Sequence, residues 1–308
     1  MLKISSPFES LKEFGHITQQ AIMPIIAIAD GEILPLGTGF AIEADGYIMT
    51  AKHVLENFTS LKVPRRGENK FYKEFSLWAF QLTGQKHKTG PNKGEIVGGL
   101  RPIVKAWFSS ELDIAICALS PAKSKKHNKF LRLPCVRLSP GVPKIGEHIL
   151  GFGYYGSTGK ITSEILDNKR VVNYSQNTAF TQGKIAEIFS PRRESGMLNF
   201  PCFQTDARFE PGMSGGPIFR ENGNVCGVIC SGGLQDDKDG YINFASLIWP
   251  AMGISIETNF KKGKPLEWIT IYDLVKRKFI AVDDTFDKLK VVINPNGTKT
   301  ISTAHTQS

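Results

Sequence analysis

Ser214 stands in the run Phe209-Glu210-Pro211-Gly212-Met213-Ser214-Gly215-Gly216-Pro217. Glycines on both sides permit a tight turn that leaves the hydroxyl exposed, because a Cβ there would block the backbone angles and close approaches it needs. The same turn can aim the amides of Gly212 and Ser214 into one concavity, the geometry that holds a developing oxyanion. A serine hydroxyl is a poor nucleophile unless a base lies within hydrogen-bond reach. Two upstream segments could supply the base and its orienting acid. One is Asp45-Gly46-Tyr47-Ile48-Met49-Thr50-Ala51-Lys52-His53-Val54-Leu55, and the other is Leu112-Asp113-Ile114-Ala115-Ile116-Cys117-Ala118-Leu119. Short Gly/Ser runs also make ordinary turns, and an isolated histidine or aspartate is more often structural than reactive. The order His53, Asp113, Ser214 is one of several that build a single triad geometry, and it favours nucleophilic chemistry at Ser214.

Each of these residues needs an element to hold it. Gly37-Thr38-Gly39-Phe40-Ala41-Ile42 and the apolar run after Asp45-Gly46 read as a β-hairpin leading into a short turn that carries His53. Asp113 lies at the mouth of a strongly apolar strand. Further runs have the same character: Ile145-Gly146-Glu147 through Gly151-Phe152-Gly153, Thr181-Gln182-Gly183-Lys184-Ile185, Phe203-Gln204-Thr205-Asp206-Ala207 and Val225-Cys226-Gly227-Val228-Ile229.

On these motifs the chain, over roughly residues 20 to 255, resembles a trypsin-like serine peptidase of the chymotrypsin fold, nearer to bacterial HtrA-type proteases than to digestive enzymes. The resemblance implies an all-β architecture of two six-stranded barrels with the site in the cleft between them. It implies a serine endopeptidase in which His53 is the base, Asp113 fixes its tautomer, Ser214 is the nucleophile and the Gly212 and Ser214 amides form the oxyanion hole. The position six before the nucleophile, which often lines the primary pocket, is Arg208. A cation facing the pocket would select an acidic residue before the scissile bond, whereas an Arg208 turned to solvent would leave small or medium apolar residues preferred. Cys230, Ser231 and Gly232 would form the far wall and pair with an extended substrate. Digestive trypsins carry an aspartate just before the nucleophile to pair with a newly cut N-terminus. Met213 cannot do so, which argues against that mode of activation.

Length and composition agree with this class. Of 308 residues, 41% are hydrophobic and 22% charged, the balance of a soluble globular protein with ample core. Thirty glycines, seventeen prolines and many short β-branched runs favour strands with frequent turns. The first ten residues lack the uninterrupted apolar core of a secretory signal, and no run reaches the length of a membrane span. The five cysteines (117, 135, 202, 226, 230) are odd in number and mostly sit in apolar runs, which reads as buried free thiols in a reducing, cytoplasmic compartment. No histidine lies near Cys226 and Cys230 to complete a metal site, so no cofactor or metal is implied. The net charge of +9 gathers between Lys62 and Lys93 and between Lys123 and Lys144. Solvated loops explain both clusters, although an acidic partner could use them. Aromatics at Phe71, Tyr72, Phe75, Trp78 and Phe80 could serve single-stranded nucleic acid, but the alternation at Phe75, Leu77, Ala79 and Gln81 suits a barrel strand equally, and nucleic acid is the weaker reading.

The organisation expected is an N-terminal segment over 1–20, a peptidase domain over 21–255 with barrels at about 21–121 and 134–250, and an extension over 256–308. Phe8, Leu11, Phe14 and Ile17 predict a short apolar-faced helix. An insertion is expected around Pro64 to Gly99, a helix over Glu267 to Ala281 and a hairpin around Asn296-Gly297. The extension is too short for a PDZ domain. Two other functions stay open on sequence: a catalytically silent binding or scaffold module, and a protease effector associated with nucleic acid.

Overall fold

Alternation decides most of this chain. In Phe75–Gln81 the structure buries Leu77 and Ala79 while Ser76 is exposed and Trp78 only half-buried, the period-two pattern of a strand with one face on a core. The computed structural model describes residues 8–11, 20–60, 74–86, 96–123, 130–166, 169–194, 196, 198–236, 240–258, 265–295 and 299–303. After a short strand β1 (Phe8–Leu11), six strands close into a first antiparallel barrel: β2 (Ile22–Ala29), β3 (Glu32–Glu43), β4 (Tyr47–Thr50), β5 (Phe75–Lys86), β6 (Ile96–Phe108) and β7 (Ala115–Leu119). Their order around the barrel is β3-β2-β5-β6-β7-β4, with β4 returning to β3. Six more close the second: β8 (His148–Leu166), β9 (Lys169–Phe189), β10 (Cys202–Thr205), β11 (Pro217–Arg220), β12 (Val225–Asp236) and β13 (Gly240–Leu247), in the order β8-β9-β10-β13-β12-β11. Closure removes most of the unpaired edges that an open sheet would expose, and β9 keeps one where it runs beyond β10 at Thr178–Thr181. The double barrel implied by the resemblance is present.

One apolar core runs through both barrels. Phe152 and Tyr154, side by side on one face of β8, pack edge to face at 5.5 Å, and the Tyr154 hydroxyl donates to the Ile22 carbonyl of the first barrel at 2.8 Å. The opposite face of β8 carries Gly151 and Gly153, and a Cβ at Gly153 would lie 2.7 Å from that of Met213. The Gly-Phe-Gly-Tyr alternation thus fills the core on one side and clears space for the serine turn on the other.

Four expectations are corrected. Phe8–Leu11 forms a strand paired with β9, not a helix, because β9 offers it a free edge; Phe14 and Ile17 lie outside the described residues. His53 sits in the first turn of a helix, α1 (Lys52–Ser60), rather than on a bare turn, with Val54 and Leu55 buried beneath it. Much of the expected insertion is the β5–β6 hairpin of the first barrel, leaving 61–73 and 87–95 outside the described residues. The predicted helix over Glu267 to Ala281 is only α2 (Ile271–Lys276), reached after β14 (Ser255–Thr258) pairs with β15 (Glu267–Thr270). Thr270 caps α2 in a reciprocal box with Asp273, and this cap fixes where the helix begins. β16 (Lys290–Ile293) and β17 (Lys299–Ser302) form the hairpin expected near Asn296-Gly297.

The C-terminal segment is not appended loosely. Ile256, Ile269, Ile271, Leu274, Ile280, Phe286 and Ile301 belong to the same core as the barrels. The Tyr47 hydroxyl donates to Thr258 Oγ1 at 2.6 Å, and Lys105 pairs with Glu257 at 2.6 Å, tying β14 to the first barrel. Between the barrels, Leu138 exchanges backbone hydrogen bonds with Ala281 and Asp283, each at 2.9 Å. Among the described residues no helix is long and apolar enough to cross a membrane, and no cluster of three metal-ligating side chains occurs.

Candidate active site

Strand pairing brings the histidine and the aspartate together. β4 ends at Thr50, three residues before His53, and β7 begins two residues after Asp113; the two strands pair with Thr50 opposite Ala115. His53 Nδ1 lies 2.9 Å from Asp113 Oδ2 and 3.1 Å from Oδ1, while the His53 backbone N–H donates to Oδ1 at 3.0 Å. A carboxylate only accepts, so this contact places the imidazole proton on Nδ1 and leaves Nε2 as the basic nitrogen. Asp113 is 7% exposed, followed by the buried Ile114, and the His53 side chain is 31% exposed. The ring is therefore held from within and open to the cleft.

Ser214 comes from the second barrel. Glu210 to Met213 form a β-turn closed by Met213 N–H donating to the Glu210 carbonyl at 3.0 Å, with Pro211 and Gly212 at its centre. Gly212 has φ +100°, the angle a type II turn requires at its third residue and glycine adopts without cost. Gly215 has φ +83°, and a Cβ there would sit 2.2 Å from both the Thr38 carbonyl and Thr50 Oγ1. The serine turn is thus pressed against the strand end that leads to His53.

The carbonyls of Gly212, Met213 and Ser214 are all engaged by hydrogen bonds. Thr38 Oγ1 donates to the Gly212 carbonyl at 2.9 Å, Gly216 N–H to that of Met213 at 2.9 Å, and Thr38 N–H to that of Ser214 at 2.8 Å. Among the described residues the Gly212 and Ser214 amides have no acceptor, the state in which both can serve an incoming oxyanion. Ser214 Oγ donates to the Cys230 carbonyl at 3.4 Å, and no hydrogen bond joins it to His53. Such contacts are commonly long or poorly aligned before substrate binds.

The remaining predicted residues fall as follows. Met213 is fully buried, and its Sδ accepts from Glu210 N–H at 3.3 Å, so packing takes the place of an ion pair. The Arg208 side chain is 42% exposed; its Nε donates to Glu210 Oε1 at 2.5 Å, and its guanidinium stands 5.7 Å from the centre of the Tyr241 ring. Cys230 is buried, its thiol 2.9 Å from Ser246 Oγ, and burial holds that thiol well above its ordinary pKa. Ser231 and Gly232 continue β12 beside it. Sequence reasoning missed Thr38, Thr50 and Glu210. Thr38, between two glycines, was the one with a visible signal, since a polar residue in a backbone-crowded strand needs partners.

All five cysteines are unpaired. Cys117, Cys202, Cys226 and Cys230 are buried, and burial pushes Cys117, Cys202 and Cys226 up to about 12. Cys135 departs from the expected pattern: it is exposed, because the segment from Leu131 to Arg137 runs along the surface and buries only Leu133 and Val136.

The chain belongs to the trypsin-like peptidase domain family, whose profile matches residues 37–228. Two curated relatives from Pseudomonas putida (strains GB-1 and W619), each described as a probable periplasmic serine endoprotease DegP-like, are 22% identical over 260 residues. The match takes in 83% of this chain but only 42% of each relative, so the chain spans less than half their length. Among solved structures, the active form of the Rv3671c protease from M. tuberculosis is 20% identical with a TM-score of 0.42, covering 75% of this chain and 77% of that one.

Proposed function

We propose that the protein is a serine endopeptidase that hydrolyses peptide bonds through an acyl-enzyme. The observation that carries the reading is the contact of His53 Nδ1 with the buried Asp113 at 2.9 Å, which frees Nε2 toward the cleft bordered by the Ser214 turn. Ser214 Oγ attacks the peptide carbonyl carbon as its proton passes to His53 Nε2. The former carbonyl oxygen becomes an anion held by the Gly212 and Ser214 amides. Collapse breaks the carbon–nitrogen bond, and His53 returns the proton to the departing amine. Water then repeats the sequence on the ester, releasing the acid and restoring Ser214. Asp113 stays ionised and stabilises the imidazolium.

Specificity follows from Glu210. Because the Arg208 guanidinium is already neutralised by Glu210, a small or medium apolar residue before the scissile bond is the preferred choice, with Cys230, Ser231 and Gly232 supplying backbone to an extended substrate. Five unpaired cysteines support residence in a reducing compartment such as the cytoplasm. Residues 21–255 then act as the peptidase domain. Lysis of cells directly into denaturant with an alkylating agent, without added reductant, should block all five thiols.

The test is cleavage of an unfolded protein substrate by the wild type, Ser214→Ala and His53→Ala. The reading expects cleavage by the wild type alone, with all three equally folded. Wild-type protein that binds but never cleaves would favour the silent binding module instead.

A further inference from the structure

Thr38 lies in β3 of the first barrel, yet it touches the serine turn of the second at two places. Its backbone N–H donates to the Ser214 carbonyl at 2.8 Å, and its Oγ1 donates to the Gly212 carbonyl at 2.9 Å. These are the two residues whose amides face the oxyanion in the proposed function. The side chain has no solvent exposure.

The direction of the hydroxyl proton is settled by a third contact. Tyr154 N–H donates to Thr38 Oγ1 at 3.1 Å, and an amide can only donate, so the Thr38 proton is left for the Gly212 carbonyl. The Thr38 carbonyl in turn accepts from Thr50 Oγ1 at 2.7 Å, and Thr50 is three residues before His53. One side chain and its backbone therefore connect the strand leading to His53, the opening strand of the second barrel at Tyr154, and both oxyanion residues.

We propose that Thr38 is a positioning residue: from the barrel that carries His53, it clamps Gly212 and Ser214 by their carbonyls and so sets the register of the oxyanion amides and of Ser214 against His53. Each peptide group is planar, so these two bonds fix the Gly212–Met213 and Ser214–Gly215 planes; the Ser214 amide lies in the peptide held between them, and the Gly212 amide in the plane next to the first. Met213 carries no charge where an ion pair would order the turn, and its Sδ accepts only from Glu210 within the same turn, so the anchor to the first barrel comes from Thr38. The inference rests on the proposed peptidase reading, since a positioning role needs a reaction to position.

The experiment compares wild type, Thr38→Val, Thr38→Ser and Ser214→Ala for the second-order rate of labelling by a fluorophosphonate, with thermal unfolding of each. Valine keeps the shape and loses the hydroxyl; serine keeps the hydroxyl and loses the methyl. Thr38→Val is expected to label about tenfold to a hundredfold more slowly per folded molecule, in the range of an impaired oxyanion site, with Thr38→Ser within about threefold of wild type. On a cleaved peptide the loss should fall on kcat, with KM little changed. Thr38→Ala serves the same comparison where the valine variant does not fold. Equal labelling of wild type and the hydroxyl-free variant, or a serine variant as slow as the valine one, overturns the proposal alone. A wild type that labels no faster than Ser214→Ala overturns the peptidase reading and this proposal with it.

Discussion

At the scale of single residues, the site depends on a few atoms whose alternatives are costly. Asp113→Asn offers Nδ1 an amide in place of a carboxylate and permits the wrong imidazole tautomer. Its activity should drop on the order of 10⁴-fold with little change in unfolding temperature, as measured by kcat/KM on a cleaved peptide beside a melt. Gly215→Ala tests the turn itself. A methyl at φ +83° would fall 2.2 Å from the Thr38 carbonyl and Thr50 Oγ1. A loss of more than about 2 kcal/mol is expected in denaturant unfolding, together with activity. A neutral alanine variant would mean that the turn is not packed as described. For specificity, Glu210→Gln should unmask Arg208 and raise cleavage after aspartate or glutamate in a peptide library, whereas Arg208→Ala should leave an apolar preference intact. His53, Asp113, Gly212 and Ser214 could all be proposed from the sequence, because nucleophile, base and orienter are limited to a few residue types in short motifs. Glu210 as the partner of Arg208 could not, since which of two neighbouring charges meet depends on the turn between them.

At the scale of elements, His53, Asp113 and Ser214 each lie two or three residues from the end of a short strand rather than within one. Apolar alternation made most barrel strands legible, and the Asp45-Gly46 hairpin turn was read correctly. The errors lie where tertiary contact overrides local pattern. Phe8 to Leu11 satisfy helical spacing equally well, but the free edge of β9 takes them as a strand. Glu267 to Thr270 could extend a helix, but the Thr270–Asp273 capping box starts it later and β14 pairs with the residues before it. The segment from about Ile256 onward reads as an extension because the motifs of the two barrels are nearly complete before it. Its burial is not legible locally, since several of the residues that hold it, Tyr47, Lys105 and Leu138 among them, are more than a hundred positions away. Phe286 shows the consequence: it is 5% exposed and stacks on Tyr272 at 4.9 Å. Phe286→Ala should cost about 3–5 kcal/mol in global stability by chemical denaturation. A change under about 1 kcal/mol would show the segment to be dispensable packing.

At the scale of the whole molecule, the two barrels and the C-terminal segment are joined by polar contacts as well as by the core. Tyr47 of the first barrel donates to Thr258 at 2.6 Å and Asn224 of the second donates to Asp283 at 3.1 Å, while within the second barrel Arg220 donates to both oxygens of Glu147, at 2.6 and 2.8 Å. Burial alone would raise the Asp283 carboxyl, but hydrogen bonds from Ser139, Thr285 and Asn224 outweigh it and hold the group below the usual carboxylate range. Glu147 is held low in the same way, against its burial, by Arg220 and Lys144. A carboxylate depressed by folding stabilises the fold above its unfolded pKa, and that contribution is lost as pH falls through the folded value. Unfolding temperature should therefore decline from about pH 5 downward, and Asp283→Asn should flatten part of that decline. An acid profile unchanged by the substitution would place the sensitive groups elsewhere. The central claim is that Ser214, activated by His53, forms a covalent bond with an acyl group. It is tested most directly by intact-mass and peptide mapping of the purified chain after exposure to a fluorophosphonate under strong reductant. A single adduct on Ser214, absent from Ser214→Ala and His53→Ala, is the result expected; an unmodified wild type, or an adduct that persists at equal yield in Ser214→Ala, would contradict it.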